Sequence, residues 1–92
     1  MSEPVQAHVY VSGTVQGVYY RASTKEQADQ RSVNGWVKNL ADGRVEAIFE
    51  GNEAAVNELV EWCHNGPKRA SVTDVDVEYT TPEGFEDFQI KR

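Results

Sequence analysis

The stretch GTVQGVYYR, residues 13–21, joins strand-forming residues to helical ones and carries two glycines and one arginine. A bend of this kind turns successive backbone N–H groups inward. The first turn of a following helix adds donors without intrahelical partners and the positive end of the helix dipole. A phosphate-sized anion suits such a cradle. Gly17 supplies backbone angles closed to other residues, and Gly13 lets the chain leave a strand sharply. Arg21 stands at a helix start, where a cation is poorly placed for the dipole unless an anion sits beside it. Taken alone, a solvated arginine and a plain tight turn explain these residues better than an anion site does. The stretch lacks the Gly-Lys-Ser/Thr ending of a nucleotide-binding P-loop and the glycine spacing of a dinucleotide fold.

Periodicity gives the elements that must position this bend. In residues 7–12, Val9 and Val11 alternate with His8 and Tyr10, as in a half-buried strand. Residues 20–30 turn to Arg, Ala, Ser, Thr, Lys, Glu, Gln and Asp, with Thr24 and Ala28 at helical spacing from Tyr20, which predicts a helix with a thin apolar stripe. Residues 35–40 and 44–50 read as strands that pair antiparallel, because the Asp42-Gly43 pair between them favours a type I′ hairpin turn. Asn52 is placed to cap a second helix with Val56, Leu59, Val60 and Cys63 on one face, closed by His64, Asn65, Gly66 and Pro67. Val75, Val77 and Tyr79 alternate in the next strand, residues 81–84 break it, and Phe88 with Ile90 predict a short closing strand. The order β-α-β-β-α-β, with a short extra strand, is the α+β, ferredoxin-like split βαβ. It implies an antiparallel sheet with two helices on one face.

A chain of 92 residues supports one core, so residues 1–92 are expected to form a single domain. Fifteen acidic against nine basic side chains give a net charge of −6, which opposes general binding to nucleic acid or anionic membrane. That excess is read as the surface of an ordinary soluble protein rather than adaptation to high salt. Cys63 has no partner for a disulfide, no basic-then-apolar leader precedes the first strand, and no apolar run approaches the roughly 20 residues of a membrane span. A cytoplasmic location is expected. His8 and His64 have no companions at metal-ligand spacing, and Cys63 belongs to the buried face of the second helix. Asp74, Asp76 and Glu78 alternate with Val75, Val77 and Tyr79 as the wet face of a strand. Trp36 and Trp62 read as packing residues. RNA-recognition modules share this element order, but the charge is wrong and RVEAIFE, residues 44–50, has Phe49 as its lone aromatic.

GTVQGVYYR resembles the signature of acylphosphatases, and GWVKNLADGRVEA, residues 35–47, resembles their second one. The two stand in the family's order and separation, and the resemblance runs from about residue 7 to residue 90. It implies hydrolysis of a small-molecule acyl phosphate to a carboxylate and inorganic phosphate, without metal or cofactor. It also implies a cradle made by Val15, Gln16, Gly17, Val18, Tyr19 and Tyr20, whose N–H groups bind the phosphate oxygens. Arg21 would grip the same group with its planar fork, and Asn39 would hold the attacking water. A carboxylate leaves readily, so an amide that orients water without deprotonating it is sufficient.

Several residues depart from the family pattern. Arg31-Ser32 replaces a common Leu-Gly pair, which removes an easy helix stop. Leu40 follows Asn39 where threonine is usual, and the chain ends in Lys91-Arg92 instead of an aromatic residue. Thr24 matches a family position and is expected either to support Asn39 or the loop, or to be a plain helix-surface threonine. Tyr19 either lines the substrate mouth or covers the loop. The expected partners are the acyl phosphate and its phosphate product, with no nucleic acid or membrane, and the chain is expected to be a monomer. The alternative is a non-catalytic phosphate or acyl-phosphate-binding module. The presence of both Arg21 and Asn39 favours the enzyme, since an anion receptor has no use for a water-positioning amide.

Overall fold

A computed structural model describes residues 3–91, and the alternation of the sequence becomes its layering. The elements are β1 (Pro4–Thr14), α1 (Tyr20–Gln30), β2 (Asn34–Asn39), β3 (Val45–Asn52), α2 (Glu53–Cys63), β4 (Ser71–Thr80) and β5 (Phe88–Ile90). One five-stranded sheet runs in the order β4-β1-β3-β2-β5. Ala7, Val9 and Val11 point from β1 into the core, together with Val45, Ala47 and Phe49 of β3 and Val37 of β2. Helix α2 packs on β1 and β3, and α1 on β2 and β5, so the helices divide one face of the sheet between them. Burying side chains such as Phe49 and Leu59 contributes about 1.5–3 kcal/mol each, enough to fix which face of each element turns inward. The result is the ferredoxin-like α+β fold. Among the described residues, no helix is long and apolar enough to cross a membrane.

Strand β5 joins the sheet in parallel with β2, pairing Phe88 with Gly35 and Ile90 with Val37, so the sheet is mixed at that edge. β4 lies at the opposite edge, and the connection between them must cross the sheet's end. The buried carboxylate of Glu50 anchors that crossing. It accepts the backbone N–H groups of Glu83 (2.6 Å), Gly84 (2.8 Å) and Phe85 (2.9 Å) and the side-chain amide of Gln6 (2.9 Å). Burial disfavours the Glu50 charge, but these four donors outweigh it and hold the carboxyl below the usual glutamate range.

Three local expectations are corrected. Gly13 does not end the first strand. It lies within β1 at a bulge against β4, with φ 123° and so little room that an added Cβ would sit 2.2 Å from the Ser71 carbonyl oxygen. The β2–β3 turn is not type I′, which needs positive φ at both central residues. Gly43 alone has it (φ 96°), and its N–H donates to Leu40 O at 3.2 Å. Asp42 instead closes the turn with its carboxylate, accepting from Arg44 N (3.1 Å) and Arg44 Nε (2.8 Å). The α1 stop is not lost at Arg31-Ser32 either: Ser32 takes the left-handed conformation (φ 56°) usually left to glycine. Helix α2 meets its expectation at both ends. The Asn52 side chain accepts from Ala54 N at 3.0 Å, and Gly66 (φ 66°) donates to Trp62 O at 2.8 Å.

Candidate active site

The loop that leaves β1 reaches α1 through two left-handed residues, Gly17 (φ 74°) and Tyr19 (φ 64°, ψ 24°). Tyr19 occupies the N-cap position of α1 but offers no capping oxygen, and no acidic side chain stands in the first turn. The donors at this helix start are therefore left open. Among the described residues, the backbone N–H groups of residues 17–22 meet no protein acceptor. Successive N–H groups around left-handed residues at a helix start form an anion-binding concavity.

Arg21 projects from the first turn of α1 and is half-buried. Its Nη1 donates to Lys91 O at 3.4 Å, long for a charged hydrogen bond, so most of the guanidinium's donor capacity is unspent. Asn39 ends β2, and its Oδ1 is buried without a hydrogen-bond partner. An unsatisfied buried acceptor costs roughly 1–3 kcal/mol, which makes it conspicuous in a well-paired fold. The two residues share one concavity of about 500 Å³, lined by Val15, Gly17, Tyr19, Tyr20, Arg21, Ala22, Asn39 and Ile90. Arg21 is the charged side chain in that set, so the local field favours an anion although the whole chain is acidic.

The predicted cradle residues divide into two groups. Val15, Gly17, Tyr19, Tyr20 and Arg21 line the concavity, while the side chains of Gln16 and Val18 lie elsewhere. Gln16 Nε2 donates to Leu40 O (2.8 Å) and Arg44 O (2.9 Å) at the neck of the β2–β3 turn, and Val18 packs against the core. Tyr19 is 74% exposed at the rim. The Tyr20 hydroxyl donates to Cys63 O at 2.8 Å, and burial raises its pKa well above the ordinary tyrosine value. Tyr20 therefore ties α1 to α2, with its ring 5.6 Å from that of Trp62, rather than serving as an acid. Burial likewise pushes the Cys63 thiol up to about 12, which leaves it un-ionised at neutral pH.

Thr24 is not a surface residue. It is fully buried and donates to Tyr20 O at 2.7 Å, so its hydroxyl is spent on the first turn of α1. Ala22 and Ile90 line the concavity without having been singled out from the sequence; the parallel docking of β5 brings Ile90 there. Lys91 supplies a carbonyl to Arg21, while its Nζ sits 4.9 Å from the Trp36 ring; Arg92 lies outside the described residues. His8 pairs with Glu46 at 2.6 Å on the sheet face away from the helices, and His64 is exposed. Among the described residues, no group of three or more His, Cys, Asp or Glu side chains gathers as a metal-ligand set.

The family model described as Acylphosphatase matches residues 7–90, which include the whole of this site. The chain belongs to the acylphosphatase family. It is 63% identical over 93 residues to an acylphosphatase of Haloquadratum walsbyi, with the match covering 100% of each chain. Among solved structures it is similar to the acylphosphatase from Bacillus subtilis (TM-score 0.93, 42% identity, 96% of this chain and 99% of that one). It is also similar to an acylphosphatase from Coxiella burnetii (TM-score 0.93, 39% identity, 96% and 93%). As an acylphosphatase, the chain hydrolyses small acyl phosphates to a carboxylate and inorganic phosphate.

Proposed function

We propose that the backbone N–H groups of residues 17–22 and the Arg21 guanidinium hold the phosphoryl group while Asn39 holds the water that attacks it. The observation that carries this reading is that Asn39, whose amide keeps unspent hydrogen-bonding capacity, lines the same concavity as Arg21. The Asn39 amide hydrogen-bonds the water and so turns an oxygen lone pair toward phosphorus. As the new P–O bond forms, the bond from phosphorus to the acyl oxygen breaks and its electron pair leaves with the carboxylate. One proton of the water stays on the new phosphate hydroxyl and the other passes to a substrate phosphate oxygen. An acyl phosphate dianion and water thus become a carboxylate and dihydrogen phosphate, with charge and protons balanced.

Catalysis in this scheme is positioning together with fixed electrostatics, in which one preorganised donor is typically worth about 10²–10³ in rate. It needs neither a metal nor an ionisable base. The same reading makes the chain a single-domain, monomeric, cytoplasmic enzyme that binds no nucleic acid. Its net charge of −6 and single unpaired cysteine support that reading.

The test is hydrolysis of an aromatic acyl phosphate by metal-free protein beside Arg21→Ala and Asn39→Ala, with inorganic phosphate as a product inhibitor. Arg21→Ala is expected to lose both rate and phosphate affinity. Asn39→Ala is expected to keep phosphate affinity and lose about 10²-fold or more in kcat. An Asn39→Ala enzyme as fast as its parent would end the water-positioning role.

A further inference from the structure

From the contacts of Gln16 we infer that this side chain is a positioning residue which sets the distance between the phosphate cradle and Asn39. The inference rests on the roles proposed above for that cradle and for Asn39. Gln16 belongs to the cradle loop by sequence, yet it does not line the concavity. Its amide turns to the β2–β3 hairpin and spends both N–H donors there, on Leu40 O at 2.8 Å and Arg44 O at 2.9 Å.

Those two carbonyls mark the neck of the hairpin. Leu40 N donates to Arg44 O at 2.8 Å, so Arg44 O accepts from the hairpin and the loop together. Leu40 directly follows Asn39 in the chain. Gln16 is thus bonded one residue beyond Asn39, the residue proposed to hold the water. Loop and strand end approach each other only in the folded chain, and no β-ladder joins them. Helix α1 packs on β2, but packing alone fixes the loop against the strand end less sharply than a direct hydrogen-bonded tie does.

The demand for such a tie comes from the reaction. In-line attack requires water, phosphorus and leaving oxygen in register, and a misplacement of about 1 Å costs on the order of 10²-fold in rate. A glutamine suits the task because one planar amide presents two donors to two carbonyls at once. Methionine has nearly the same shape but no donor, and glutamate would oppose acceptor to acceptor.

The experiment introduces Gln16→Met and Gln16→Glu, each into the parent and into the Asn39→Ala background, and follows kcat, KM and inhibition by inorganic phosphate. In the parent, both substitutions are expected to lower kcat by about tenfold to a hundredfold. The inhibition constant for phosphate should move by less than about threefold, because the cradle N–H groups and Arg21 remain. In the Asn39→Ala background the same substitutions should cost less than about threefold, since there is no longer a water-holding amide to misplace. An equal loss in both backgrounds, a phosphate constant that rises in step with the loss of kcat, or an unchanged kcat would each overturn the inference. If Asn39→Ala itself retains full rate, the water-positioning role fails instead, which separates the two outcomes. A measurement on the unaltered protein covers the case in which neither Gln16 variant folds. The two Gln16 side-chain amide protons should exchange with solvent at least about tenfold more slowly than those of an exposed glutamine. Exchange at the free rate would show that the tie does not hold.

Discussion

In the proposed reaction, Arg21 and Asn39 are where residue type translates most directly into chemistry. The guanidinium is half-buried at the start of α1, with one long contact to Lys91 O, so its fork is available to two oxygens of a phosphoryl group. Arg21→Lys keeps the charge but loses that fork. It is expected to weaken phosphate inhibition and to lower kcat/KM by about 10²-fold, read from initial rates of acyl phosphate hydrolysis. A lysine variant within a few-fold of the parent would mean that charge alone suffices. The sequence offered roles for both residues only through the resemblance of two motifs, and what the structure adds is that Arg21 and Asn39 line one concavity. The conformation of Tyr19 was not legible, since nothing in a tyrosine side chain announces φ 64°. Nor was the direction of the Gln16 amide, which depends on where another strand ends.

At the scale of elements, α1 ends on a residue that strains to do a glycine's work. Ser32 holds φ 56°, and the turn is closed by Val33 N donating to Ala28 O at 2.9 Å. A left-handed conformation costs an L residue roughly 1–2 kcal/mol, part of which glycine returns through its freer unfolded chain. Ser32→Gly is therefore expected to stabilise the fold by about 0.5–1 kcal/mol in urea unfolding, with activity unchanged. The β4–β5 crossing carries the opposite kind of dependence. Glu50 is held ionised by its four donors, so its contribution is complete at neutral pH. It is lost as pH falls through the ordinary glutamate value of about 4.3 and on through the depressed folded-state value. Glu50→Gln should be less stable at pH 7 by about 1–3 kcal/mol. It should also decline less steeply on acidification than the parent, as measured by urea midpoints across pH 3–7. Equal slopes for the two proteins would place the acid sensitivity elsewhere. The helix spans and caps were readable from periodicity, whereas the turn between β2 and β3 was misread because Asp42 spends its side chain on Arg44 rather than adopting positive φ.

The whole molecule sets the order of the sheet and the field through which substrate arrives. The βαββαβ order followed from the sequence because each element shows its own period. The side on which β5 docks did not, because its parallel pairing with β2 depends on a crossing pinned by Glu50, far away in sequence. Ile90 reaches the concavity only by that route. Charge acts on the same scale but over a different range. A net charge of −6 repels an acyl phosphate dianion at long range, while Arg21 and the open N–H groups attract it only at contact. Raising ionic strength from about 0.01 M to about 0.15 M shortens the screening length from about 30 Å to about 8 Å, which suppresses the repulsion much more than the contacts. Accordingly kcat/KM should rise with salt over that range while kcat at saturation stays level, as determined from full rate-against-concentration curves at each salt. A steady fall in kcat/KM would mean that the arriving substrate feels the local positive field of the loop before the negative field of the whole.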